Sequence, residues 1–294
     1  MTGIGYERPQ TLDEAVAILE RYGPAARLLA GGTDLLAAEH DHALRDCVLV
    51  DIKRIPELRP AITESDRLVR VSADTAMTDI ADDPELQLSL PALTAAAASV
   101  GTVQIRNRAT LAGNICNASP AADTAPPLLA YGGHVVAHGP QGIRRIPMAE
   151  FFHAPGLTAL ARGELVTAIE IPVPAPPAGS AFGRLSRRRG ADLATVSVAA
   201  VIDASGRTRL GLGAVGPTPL LVTDETGMLA DRGIGEERRI SLLIRMLGAA
   251  RPISDVRSGR EYRLRMLRVV AQRVLAAAMA QRAAAEAWRS EGGR

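Results

Sequence analysis

Aromatic side chains are scarce: Phe, Trp and Tyr make up 3% of the 294 residues, with one Trp. Any core must therefore be built from Ala, Leu, Val and Ile, and the 47% apolar content supplies them. Cysteine is scarcer still. Cys47 and Cys116 cannot make a disulfide framework, and they cannot hold an iron–sulfur cluster, which normally takes four thiolates. A reducing cytoplasm is the expected compartment. Net charge is almost absent, +2 at neutral pH, and the basic residues are dispersed, which argues against nucleic acid as the main partner. No apolar run approaches about 18 residues, so no membrane span is expected. The start of the sequence lacks the charged-then-apolar pattern of a secretory signal. His40, His42, His134, His138 and His153 show no metal spacing with cysteines or acids. No acid–base or nucleophilic constellation stands out, so no catalytic residue and no metal ligand is nominated.

Two glycine-bearing stretches are present instead. Residues 104–124 read QIRNRATLAGNICNASPAADT: basic residues, then small ones, then Asn, Ser, Pro and Asp. Small residues leave backbone N–H groups reachable, Gly113 tolerates dihedrals that a Cβ forbids, and successive N–H groups form anion-binding concavities. Asp123 has the chemistry to accept from ribose hydroxyls. The composition alone fits a nucleotide loop and an ordinary surface turn equally well. The second stretch, RLLAGGTDLL (27–36), is a short apolar run feeding Gly31, Gly32, Thr33 and Asp34. It is neither a G-x-G-x-x-G nor a Walker motif, yet a strand entering a tight Gly-Gly-Thr turn is a phosphate-cradle candidate. Two such elements can grip a pyrophosphate from both sides.

Along the chain, Thr11 and Glu14 have capping-box spacing, and Leu12, Ala15, Val16 and Leu19 recur at helical period. With short strands at Arg27–Ala30 and 48–52, the first part reads as a small α/β lobe. Residues 67–73 open a second lobe, with helices over 77–80 and 90–100, the 104–124 loop, a helix to about Leu129, a hairpin over 134–148 and a strand over 164–173. PAPPAGS (174–180) is a linker. Three strands follow, the last two joined at Ser205-Gly206, then helices near 236–249 and 260–285. Tyr262, Met266, Val269 or Val270, Val274 and Leu275 are expected to share the buried face of the last helix. Trp288 is expected to dock that helix or a partner, with fraying from Arg289.

AGGTDLL (30–36) and QIRNRATLAGNICNASPAADTAP (104–126) resemble the two flavin-binding motifs of the FAD-binding, or medium, subunit of molybdenum hydroxylases, the family of xanthine and carbon monoxide dehydrogenases. The likeness continues through IEIPVP (169–174), LSRRRGADLATVSVAA (185–200) and DVRSGREYRLRML (255–267). It implies an α+β fold: a two-lobed FAD-binding domain, with an α/β lobe at 1–56 and an antiparallel-sheet lobe at 57–175, followed by a C-terminal domain at 176–294 with a three-stranded antiparallel sheet and helices. The resemblance further implies FAD against Arg27, Leu28, Leu29, Ala30, Gly31, Gly32, Thr33, Asp34 and Leu35, and against Thr110, Ala112, Gly113 and Asn114. Asp123 matches a family aspartate near the ribose or pyrophosphate, or else caps the next helix. Val100 and Val166 fall at positions that pack on the cofactor. Family members often have glycine where this chain has Ala112. A family lysine near the flavin matches Gly183 by count, and its role is carried to the neighbouring Arg184. Arg187, Arg188 and Arg189 are placed near the flavin, at a subunit contact or on a solvated face. Cys116 reads as a packing residue.

The implied function is electron transfer: [2Fe–2S] clusters of a small subunit pass electrons from a large molybdopterin subunit to this FAD, and an acceptor such as NAD⁺, oxygen or a quinone takes them. A dimer of heterotrimers is the expected assembly. The alternatives are a self-sufficient flavin oxidase or reductase and a non-catalytic nucleotide-binding module.

Overall fold

The computed structural model describes residues 3–40, 46–188 and 190–290. His42 and Arg189, named above, lie outside them.

Strand β1 is Gly5–Glu7 and helix α1 is Leu12–Tyr22. Thr11 caps α1 as its spacing predicts, its hydroxyl accepting from Glu14 N at 3.1 Å. The Glu14 carboxylate reaches one residue further back than a capping box requires, to Gln10 N at 2.6 Å. Ala15, Val16 and Leu19 are buried, and the helix stops at Gly23 with φ 50°. Strand β2 (Ala26–Leu29), helix α2 (Leu35–His40) and strand β3 (Val48–Asp51) follow. The three strands pair in parallel in the order β1-β3-β2. Their carboxyl ends therefore emerge side by side, which brings the Gly31–Asp34 turn next to Asp51 and Lys53, the usual ligand end of such a sheet.

The second lobe starts one strand earlier than its sequence predicts, with a hairpin of β4 (Ile62–Ser65) and β5 (Leu68–Ser72). Helices α3 (Met77–Asp82), α4 (Pro84–Ser89) and α5 (Pro91–Ala98) come next. Pro84 and Pro91 each sit at a helix start, where the missing N–H costs nothing. What reads as one helix from 90 to 100 is thus a shorter helix preceded by an unforeseen one. The expected loop at 104–124 contains two short helices, α6 (Val103–Arg106) and α7 (Leu111–Cys116). Thr102 and Thr110 make them: each hydroxyl accepts from a backbone N–H three residues on. Then come α8 (Ala125–Tyr131), β6 (His134–Gly139), β7 (Gly142–Pro147), α9 (Met148–Phe151), the small pair β8 (Phe152–Ala154) and β9 (Leu157–Thr158), and β10 (Leu165–Pro172). The lobe's main sheet is antiparallel in the order β4-β5-β10-β6-β7.

The C-terminal sheet has four strands rather than three: β11 (Gly179–Leu185), β12 (Val196–Ile202), β13 (Thr208–Gly213) and β14 (Leu220–Asp224). The fourth escapes a pattern search because its first four residues are all half-buried, with no alternation. Helix α10 is Glu236–Leu247, and α11, Arg260–Ser290, lies across β11 and β12. The buried face of α11 is Arg263, Leu267, Val270, Ala271, Val274, Leu275 and Ala278. Tyr262, expected on that face, is 50% exposed, because the buried Arg263 turns the stripe by one position. Arg289 is not frayed: its guanidinium donates to the Pro176 carbonyl at 2.6 Å. Trp288 is exposed and does not dock the helix.

One apolar cluster spans both N-terminal lobes, and a second fills the space between the C-terminal sheet and α10 and α11. The phenol of Tyr131 ties α8 and α5 to β11 of the C-terminal sheet. Fully buried, it contacts the Ser180 hydroxyl of β11 at 2.6 Å and accepts from Ala92 N of α5 at 3.3 Å, so this polar group inside the protein is satisfied. Among the described residues, no helix is long and apolar enough to cross a membrane.

Candidate functional site: two glycine turns clasped together

The two glycine stretches meet. A Cβ built on Gly31 would lie 1.8 Å from the Arg108 carbonyl oxygen, so only glycine lets the first turn press its backbone onto the second. A second tie lies nearby, where Asn117 Nδ2 donates to Asp34 Oδ2 at 3.0 Å across 83 positions of sequence. Gly32 has φ +79° and its carbonyl accepts from Leu36 N at 2.9 Å, starting α2. Its glycine identity follows from that left-handed turn and from Leu29 and Leu36, whose side chains crowd the Cβ position. Thr33 and Leu35 are half-buried beside it. Arg27 is exposed and folds back onto the carbonyls of Pro24 and Ala26, and Leu28, Leu29 and Ala30 lead from it into the turn.

In the second stretch, Thr110 is 3% exposed and its hydroxyl accepts from Gly113 N at 3.0 Å. Asn114 Oδ1 accepts from the Thr124 hydroxyl at 2.6 Å. These two polar side chains hold the shape of the loop, in which Gly113, like Asn117, is exposed. Ala112 is buried, so its methyl packs into the core and leaves the exposed side of the loop clear. Val166 lies at a bulge in β10 and shares one apolar cluster with Ala112, and Val100 packs against that cluster.

Beside this clasp sits a group the sequence does not single out. Lys53 Nζ pairs with Asp51 Oδ1 at 2.6 Å and donates to the Ala30 carbonyl at 3.3 Å, and the Tyr6 hydroxyl donates to Asp51 Oδ2 at 2.6 Å. Burial alone would raise the Asp51 carboxyl, but hydrogen bonds from Lys53 and Tyr6 outweigh it and hold the group below its ordinary value. The available signal was position: charged residues at the carboxyl end of a parallel strand, Asp51 closing β3 and Lys53 following it. A polar cavity of about 350 Å³ opens here, lined among others by Gly31, Lys53, Asp74, Thr78, Asn107 and Arg108. Burial raises the Asp74 carboxyl above its usual range. Arg106 does not line the cavity; it donates to the Val100 carbonyl at 3.1 Å.

Asp123 does not cap α8; Thr124 takes that position, with no side-chain bond. Asp123 Oδ2 instead pairs with Arg184 Nη1 at 2.5 Å, both side chains being about nine-tenths buried. Its other oxygen, Oδ1, is buried with no partner among the described residues. Burial pushes this carboxyl up to about 7, against the pull of Arg184. The same guanidinium donates to the Ser99 carbonyl at 2.9 Å and the Asp192 carbonyl at 2.6 Å. One side chain thus joins the end of α5, the second glycine stretch and the loop after β11.

Strand alternation explains why position 184 rather than 183 faces this site. A Cβ on Gly183 would lie 2.7 Å from Val274 Cγ2 of α11, so a lysine there would point into the C-terminal core. Gly183→Lys is expected to cost about 1–3 kcal/mol by overpacking, with flavin affinity unchanged; denaturant unfolding and flavin titration check the two halves. Cys116 is half-buried, and burial raises its thiol to about 12. It should resist alkylation at pH 8, and Cys116→Ser should leave electron transfer unchanged in a reduction assay. Arg187 pairs with Asp192 at 2.8 Å, and Arg188 is exposed.

Comparison with known proteins gives a consistent result. The family model described as the FAD binding domain in molybdopterin dehydrogenase matches residues 2–174, and the CO dehydrogenase flavoprotein C-terminal domain matches 181–278. A putative xanthine dehydrogenase FAD-binding subunit of Escherichia coli is 35% identical, covering 94% of this chain and 96% of that one. The carbon monoxide dehydrogenase medium chain of Hydrogenophaga pseudoflava is 34% identical, with coverage of 94% and 97%. A solved structure of carbon monoxide dehydrogenase from the same organism, lacking the Mo-pyranopterin moiety of its cofactor, superposes with a TM-score of 0.87 at 32% identity, over 96% of this chain and 99% of that one.

Proposed function

Because the chain belongs to the family of FAD-binding subunits of molybdenum hydroxylases, we propose that it receives electrons from an iron–sulfur partner and passes them to an external acceptor. It is an oxidoreductase subunit and its cofactor is FAD. The observation that carries the proposal is the clasp, in which two glycine turns are held backbone to backbone, the second stretch also carrying a buried carboxylate with one oxygen unpartnered among the described residues.

The residues fit the cofactor. The turns at Arg27–Leu35 and Thr110–Asn114 would hold its pyrophosphate. Asp123 Oδ1, buried without a donor of its own, would accept from a cofactor hydroxyl or ring N–H. Val100 and Val166 would give it an apolar wall that excludes water. Arg184 would hold Asp123 in place and keep positive charge nearby. FAD supplies the redox chemistry itself, taking up electrons singly and giving them up in pairs.

The partners in this reading are a small subunit with two [2Fe–2S] clusters and a large subunit with molybdopterin, assembled in the cytoplasm as a dimer of heterotrimers. NAD⁺, oxygen or a quinone is the acceptor. The division at residues 56 and 175 belongs to the same proposal; the C-terminal sheet shares one core with α10 and α11 and, through Ala199 and Val201, packs its other face on the N-terminal core. The test is a visible spectrum of the chain with whatever co-purifies, followed by acid release of the chromophore. Flavin bands, releasable FAD, iron–sulfur absorbance and two further polypeptides are expected. No flavin even after incubation with FAD would overturn the reading.

A further inference from the structure

Tyr262 sits where helical spacing predicts burial, yet it is 50% exposed, and Leu193 and Val256 are 52% and 99% exposed. The segments that carry these three are joined at Arg263. The buried Arg263 donates to the Thr195 carbonyl at 2.6 Å and to Asp255 Oδ1 at 2.8 Å, so one guanidinium holds the loop carrying Leu193 and the turn carrying Val256. That turn is locked: Asp255 and Ser258 exchange both backbone hydrogen bonds, and Asp255 Oδ1 also accepts from Arg257 N and Ser258 N. Val256 is therefore displayed outward on a rigid frame. Single exposed apolar residues are ordinary, but a cluster on rigid supports marks a contact surface.

Two further observations say what covers it. The carboxylates of the frame are already paired, Asp192 with Arg187 and Asp255 with Arg257 and the buried Arg263. Arg188, Arg260 and Arg265 remain at the exposed rim, with Glu261 as the acid among them. The fitting partner face is apolar at its centre and acidic at its edge. The surface is also continuous with the cofactor site, since Arg184 ties Asp192, next to Leu193, to Asp123. We propose that Leu193, Val256 and Tyr262 form the docking surface for the iron–sulfur subunit that feeds electrons to this chain. This rests on the proposed function, because the partner that supplies the flavin must cover a surface bordering it.

The test uses the assembled complex with Val256→Glu, Leu193→Glu and the pair. Each subunit is quantified after affinity purification, FAD is measured after acid release, and melting is followed. The expected result is at least about a tenfold loss of the iron–sulfur subunit with flavin content unchanged, and near-normal retention in Val256→Ile. Because Val256 is fully exposed, its single variant stays informative if the double variant unfolds. Full retention of the iron–sulfur subunit overturns the inference. So does selective loss of the molybdopterin subunit, of a second copy of this chain, or of flavin. A wild-type complex without iron–sulfur absorbance would instead overturn the proposed function, and this inference with it.

Discussion

Gly31→Ala is expected to yield a chain that loses its flavin during purification. The added methyl would stand 1.8 Å from the Arg108 carbonyl oxygen, with the Arg108 carbonyl carbon at 2.6 Å and Ala109 Cα at 3.1 Å. All three are backbone atoms, so no rotamer change relieves the clash. The turns must part, and the bond between Asn117 and Asp34 must stretch or break. Overpacking of this kind costs about 3 kcal/mol, the upper end of the usual range. A cradle opened by an ångström also loses most of its backbone contacts to a pyrophosphate; a drop of ~3 kcal/mol in binding is about 100-fold in affinity.

Gly32→Ala makes the control. Its Cβ would meet the ends of the Leu29 and Leu36 side chains, which can move, so its main cost is the left-handed backbone, about 1–2 kcal/mol. Flavin titration and thermal melting should therefore rank Gly31→Ala well below Gly32→Ala. Equal affinities for Gly31→Ala and wild type would mean that the clasp does not set the cradle.

The order of elements was legible because each was signalled locally: the Thr11 cap, the turn glycines at 139–142 and 206, and the proline boundary at 174–180. What escaped depended on partners distant in sequence. β14 has no alternation of its own and exists because β13 pairs with it. Tyr262 lies off the expected face because its neighbour Arg263 is buried against two carbonyls and a carboxylate, all from segments distant in sequence or outside the helix. At the site, the motif residues were legible as a set, but not the division of labour among them. Thr110 and Asn114 shape the loop from within, Gly31 is required by the opposing turn, and Asp123 and Arg184 belong to each other. For Lys53 and Asp51 the sequence carries only a positional signal, and their link to the first turn depends on the Ala30 carbonyl, 23 positions away from Lys53.

The Asp123–Arg184 pair gives the second large effect. Arg184→Met would leave a buried carboxylate without its counter-charge and three oxygens without a donor: Asp123 Oδ2 and the carbonyls of Ser99 and Asp192. Breaking one side of a buried pair typically costs about 3–5 kcal/mol, whereas replacing both sides with apolar groups is often neutral. The double variant Asp123→Leu/Arg184→Met should recover most of the stability lost by Arg184→Met. It should not recover flavin affinity, because the free Oδ1 acceptor is gone. That split separates packing from binding.

The pH dependence carries the same signature. In the unfolded chain the Asp123 carboxyl ionises near its ordinary 3.8, and in the folded chain near 7. Between those values the folded protein holds a proton that the unfolded chain has released, so this group makes stability fall as pH rises through the window, with no further change above it. Without Arg184 the folded value moves higher still, so stability should keep falling above neutrality in Arg184→Met, and this component should vanish in the double variant. Flavin binding runs the opposite way. The ionised carboxylate is the better acceptor for a cofactor donor, so affinity should weaken as pH falls from 8 to 6, with that slope lost in Asp123→Asn. A wild-type affinity flat across this range would place the free oxygen of Asp123 out of the cofactor's reach and leave the pair as a brace between α5, the second glycine stretch and the loop after β11.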